Sequence, residues 1–124
     1  MTSVLKFDES AGVDADRLAQ IYSCYGDREA DRLICDAMED LALALARIAR
    51  ANACGDLAAI DRLASAMAAQ GSQIGLPKIE KVATDVVRCV RVGDQTALQA
   101  VLARLSRVGD LSLSAVWDPR YHTV

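Results

Sequence analysis

The stretch Leu63–Ile79, LASAMAAQGSQIGLPKI, decides how this chain is read. It opens as a helix with small side chains on several faces. It then passes Gly71 and Gly75 and reaches Leu76-Pro77. Proline suits the first turn of a helix, where its missing N–H leaves no bond unmade, so a new helix is expected from Pro77. A surface helix usually presents lysine and glutamate. Here Ser65, Ala68, Ala69 and Ser72 stand at helical spacing, off the face set by Ile60, Ala64 and Met67.

Outward from this stretch, a Gly-Asp pair recurs at 26–27, 55–56, 93–94 and 109–110. Glycine takes the left-handed conformation that ends helices, and aspartate caps the free amides of the next one. Each pair is therefore expected to close one helix and open another. The irregular spacing marks shared capping chemistry and not an internal repeat. The segments between carry apolar residues at intervals of three and four. Helices are expected over roughly 14–24 (Leu18, Ile21, Tyr22) and roughly 28–53 (Leu33, Ile34, Ala37, Met38, Leu41, Leu45, Ile48, Ala49). The third spans roughly 57–71 (Leu57, Ile60, Ala64, Met67), and the fourth runs from 77 (Ile79, Val82, Val86, Cys89, Val90). The fifth spans roughly 95–108 (Leu98, Val101, Leu102, Leu105, Val108). The valines of the fourth segment suit a strand as well, but its period and length favour a helix.

Composition agrees with helix on helix. Of the 124 residues, 52% are apolar but only 4% aromatic, so the core is aliphatic and alanine-rich. A sandwich would call for more Val, Thr, Tyr and Phe in alternation. Short connections set successive helices antiparallel. The expectation is an all-α, up-down-up-down antiparallel four-helix bundle with a short extra N-terminal helix. Residues 1–13 are read as a flexible N-terminal segment, 14–110 as the bundle and 111–124 as a C-terminal tail.

The formal net charge of −3 and the scattered basic residues speak against a nucleic-acid partner. The opening residues do not read as a signal peptide or a myristoylation site, and no apolar run reaches a membrane span. A cytoplasmic location is expected. Cys24, Cys35, Cys54 and Cys89 form no CxxC pair, and His122 is the only histidine. Zinc spacing is absent, no cofactor is expected, and the cysteines are read as free, buried, small apolar residues.

The order of helices, the junctions "ACGDLAAI" and "RVGDQTAL", and the spacing of Leu63–Ile79 resemble the histidine-containing phosphotransfer (Hpt) domain of two-component phosphorelays. The likeness spans roughly residues 15 to 108. The family signature is an "AHxLKG" segment followed by "LG". Setting Gly75 on the family glycine places Ser65 on the phosphorylated histidine, Met67 on the leucine, Ala68 on the lysine and Ala69 on the glycine. The resemblance implies a bacterial signalling module whose partner is a response-regulator receiver domain or a histidine kinase. The departure decides the mechanism. An imidazole is nucleophilic near neutral pH, whereas a serine hydroxyl needs an adjacent base, and none is visible in the sequence. The lysine charge is lost too. The chain is thus expected to be a pseudo-phosphotransferase, not an enzyme. The resemblance implies that it binds through the face of the second and third helices around Ser65, with Arg62, Ala68, Ala69 and Ser72, and carries no phosphate.

Other residues have simpler readings. His122 is read as a solvated tail residue. Trp117 and Tyr121, with Val116, are expected to close the bundle end. Asp36, Glu39 and Asp40, with Glu29 and Asp31, are read as a solvated acidic face and not as a metal site or acid–base pair. Arg47, Arg50 and Arg62 are ordinary surface arginines or a patch for an acidic partner. Nothing marks Ser65 or Ser72 for a kinase. The alternative function is a structural homodimer through the alanine-rich faces of the second and third helices.

Overall fold

A computed structural model describes residues 13–117. These form five helices: α1 (Ala15–Tyr25), α2 (Asp27–Cys54), α3 (Leu57–Gln73), α4 (Pro77–Val92) and α5 (Gln95–Ala115). No strand occurs among the described residues, so the fold is all-α and the valine-rich segment of α4 is helical. None of the described helices is long and apolar enough to cross a membrane.

The capping chemistry works as expected at two Gly-Asp junctions. Gly55 and Gly93 end α2 and α4 in the left-handed region. Asp56 and Asp94 then accept from the amides of Ala59 and Ala97, at 3.1 and 3.0 Å. At the first junction Gly26 itself is the cap and Asp27 is the first residue of α2. The carboxylate there meets the positive end of the helix without capping it through its side chain.

The fourth pair is different. Gly109 and Asp110 lie inside α5, which runs on to Ala115. A mid-helix glycine costs about 1 kcal/mol relative to alanine. Here it is buried, and a Cβ at position 109 would stand 2.7 Å from Leu45 Cδ1. Glycine lets α5 close on α2 at this level. Leu105, Gly109, Ser112 and Val116 continue the buried stripe at helical spacing. The expected tail over 111–124 is therefore corrected: 111–115 is helix and Val116 is buried.

Each helix packs on its neighbour in sequence, and α5 returns to touch α2. The five helices share one core, in which Leu18, Ile34, Leu41, Ile60, Met67, Ile79, Leu98 and Leu105 are almost fully buried. Within it α1 packs on α2 with Leu18 and Ile21 inward. The first turn of α1 is tied to the turn between α3 and α4. Asp14 N donates to Gly75 O at 2.7 Å, and Arg17 Nε donates to Gln73 O at 2.8 Å. Val13 is buried, so the ordered unit begins before residue 14, while residues 1–12 lie outside the described range.

Some inward assignments are corrected. Leu57 is 41% exposed because it opens α3, before the helix has closed on its neighbours. Leu33 and Ala49 flank the α2 stripe and face solvent. Among the cysteines Cys24, Cys35 and Cys54 are exposed, and Cys89 is half-buried. All four are free; Cys24, Cys35 and Cys54 face solvent, while Cys89 packs against the edge of the core. Cys35 shares the apolar phase of α2 only at its edge, beside the fully buried Ile34.

Candidate functional site

The helix α3 that carries Ser65 is fixed along both edges. Towards α2, Gln70 Nε2 donates to Asp40 Oδ2 at 3.1 Å. Towards α4, Arg91 donates from Nε to Asp61 Oδ2 at 3.0 Å and from Nη2 to Asp61 Oδ1 at 3.4 Å. Such a forked pair sets orientation as well as charge. Met67 lies in the core between these edges, so the opposite side of α3 faces out. Arg62, Ser65, Ala69 and Ser72 are all exposed there.

Ala68 belongs to this patch only in part. It is half-buried and packs against the core, so the exposed surface is Ser, Ala and Ser with Arg62 at its N-terminal end. The sequence places the patch on the α2–α3 side. The hydrogen bonds turn it towards α4, since Ser65 Oγ donates to Asp61 Oδ1 at 3.4 Å and Asp61 is bound to Arg91. A carboxylate does therefore stand beside Ser65, four residues earlier on the same helix.

Asp61 is poorly suited to activate that hydroxyl. Its hydrogen bond from Arg91 holds the carboxyl below its ordinary range, against a smaller opposing effect of burial. A general base works best with a pKa near the working pH, and Asp61 is displaced the other way. Replacing Arg91 with alanine is expected to raise the Asp61 titration midpoint, read from its carboxyl carbon shift in an NMR pH series. A depressed carboxyl stabilises the fold above the ordinary carboxylate range and loses that contribution as pH falls through its own midpoint. The wild-type and Arg91→Ala proteins should thus converge in stability at low pH. The pair is exposed, and the difference at neutral pH should be small. An unmoved Asp61 midpoint would refute the assignment.

The other candidates stay apart. Asp36, Glu39 and Asp40 are exposed on α2, and Asp40 is engaged by Gln70. Among the described residues no three acidic, histidine or cysteine side chains gather where a metal ion could be held. Arg47 and Arg50 are exposed on α2. Val116 packs into the core, but Trp117 is 43% exposed. Tyr121 and His122 lie outside the described residues.

Two polar contacts have no signal in the helical pattern. Tyr22 Oη donates to Asp31 Oδ1, joining α1 to α2. Burial, and then this bond, push the phenol well above its ordinary value of 10.0. Asn52 and Gln99 exchange two amide hydrogen bonds of 3.0 and 2.9 Å across the α2–α5 seam.

Comparison with protein-family models, with curated proteins and with solved structures finds no match for this chain.

Proposed function

We propose that this chain is a non-catalytic, Hpt-like signalling module of a two-component phosphorelay. In this reading α2 to α5 form the antiparallel four-helix bundle, α1 is the extra N-terminal helix, and the protein works in the cytoplasm. A receiver domain or a histidine kinase docks over Ser65 with Arg62, Ala69 and Ser72, and Ala68 supports the patch from beneath. No phosphoryl group is carried. The observation that supports this reading best is the outward face of α3. It is exposed and low, and its central hydroxyl is paired with a carboxylate whose basicity is reduced. Small side chains let a partner approach closely at little entropic cost. Arg62 offers a charge to the acidic active site of a receiver.

The test is affinity capture from a lysate of the source cell, using wild type and a Ser65→Arg, Ala69→Arg double variant. Both substitutions sit on the exposed side and leave the core untouched. Wild type should recover a response regulator or a kinase, and the variant should lose it. Recovery of the same partners by both proteins would overturn the reading.

A second reading is a homodimer. It is favoured by four exposed alanines, Ala42, Ala46, Ala49 and Ala53, at helical spacing along α2. Of these, Ala49 lines a shallow cleft of about 280 Å³ with Leu102 and Ala103 of α5. A mass that rises with concentration would support it. A monomer across the micromolar range would exclude it.

A further inference from the structure

A second surface, on the other edge of α3, combines apolar side chains with an acidic edge supplied by α2. It is a groove of about 510 Å³ where α1, α2 and the end of α3 meet. Its apolar lining comes from Ile21, Leu33, Ile34, Ala37 and Ile74. Two large apolar side chains reach solvent here, Tyr25 at 59% and Leu33 at 37% exposure. Asp36 and Asp40 stand one helical turn apart on α2 and also line the groove. Both are exposed.

Charge extends this pattern. Residues 27–40 of α2 hold six carboxylates against two arginines, Arg28 and Arg32. Arg32 is itself within 3.9 Å of Glu29. The cation in the groove lining is Arg17, whose guanidinium is already engaged by Gln73 O and Gln20 Oε1. Of the groove lining, Asp36 and Asp40 are the carboxylates and Arg17 the cation, so the groove is net negative beside the acidic stretch of α2.

We propose that this groove is a docking site for a basic amphipathic helical segment of a partner protein. One or two bulky apolar side chains of that segment pack against Tyr25 and Leu33, the two large apolar side chains of the lining that reach solvent. Its lysines or arginines, spaced by one turn, meet Asp36 and Asp40. Helix-in-groove recognition reads such spacing, and rim charges govern encounter and partner choice. The site is distinct from the Ser65 patch and stands without it.

The test uses a short fluorescent amphipathic leucine–lysine peptide, with a leucine–glutamate peptide of the same pattern as control. Anisotropy measures binding, and amide shifts of the isotope-labelled chain locate it. The basic peptide should bind, more weakly as salt rises, and should shift amides of residues 33–40 and 70–74. An Asp36→Lys, Asp40→Lys variant should bind it about tenfold more weakly, a change of about 1.4 kcal/mol. An Asp36→Asn, Asp40→Asn variant should fall between the two, and a native helical spectrum shows that each variant is folded. Equal binding by wild type and the lysine variant, shifts centred elsewhere, or equal binding of the acidic peptide would overturn the proposal. So would a concentration-dependent dimer of the chain that buries the same amides.

Discussion

Replacing Met67 with alanine is expected to cost the protein about 3 kcal/mol, the usual range for emptying a buried methionine site. Met67 is fully buried on the inner side of α3, two residues from the exposed Ser65. A folded domain of this size has only about 5–15 kcal/mol to lose, so the denaturation midpoint should fall sharply. The Ser65→Ala protein is the partner measurement. Its side chain is exposed and makes one long hydrogen bond, to Asp61, so its stability should stay within about 0.5 kcal/mol of wild type. Together the two substitutions fix the rotation of α3 about its own axis. Equal losses at both positions would mean that the helix is turned and the docking face misassigned.

The second large effect is expected at Gly75. Its φ is +78°, a region in which an L side chain is strained by about 1–2 kcal/mol. A Cβ there would also stand 3.0 Å from Asp14 O, a backbone atom that cannot rotate away. The same glycine accepts the Asp14 N–H that anchors α1. Gly75→Ala should therefore cost about 3 kcal/mol, with strain and displacement of α1 combined. Gly55→Ala supplies the comparison. It has a similar φ of +71° but open space where the Cβ would go, so about 1 kcal/mol is expected. Chemical denaturation of the two variants separates backbone strain from contact. Equal losses would show that the α1 anchor contributes nothing.

These two positions also mark what the sequence could and could not convey. The helices were legible because their buried residues recur at three and four: Ile34, Met38 and Leu41, or Val82 and Val86, are inward where the spacing puts them. The Pro77 start was legible from the chemistry of proline alone. Gly109 was not, because a glycine that ends a helix and one that admits a neighbouring helix look identical in one dimension. Only Leu45, 64 positions earlier in the chain, distinguishes them. The same limit applies to the tie between Arg17 and Gln73, which joins segments 56 residues apart.

The outward face of α3 was legible in its exposed residues and less so in its edges. Ser65, Ala69 and Ser72 face outward, as the Ile60–Ala64–Met67 phase requires. Ala68 follows Met67 and is drawn half inward, because α3 is flanked by both α2 and α4 and its buried arc is wide. The bond between Asp61 and Arg91 lies across two helices, so no spacing rule reaches it. That bond turns the patch towards α4 and lowers the basicity of the carboxylate nearest Ser65.

The most direct test of the docking claim is an amide-shift titration of the labelled chain with the purified receiver domain recovered by affinity capture. Shifts centred on Arg62, Ser65, Ala69 and Ser72 are expected, with no phosphate on the chain when the receiver is phosphorylated and no binding by the Ser65→Arg, Ala69→Arg variant. Shifts confined to Ala42, Ala46, Ala49 and Ala53, or transfer of phosphate to Ser65, would contradict it.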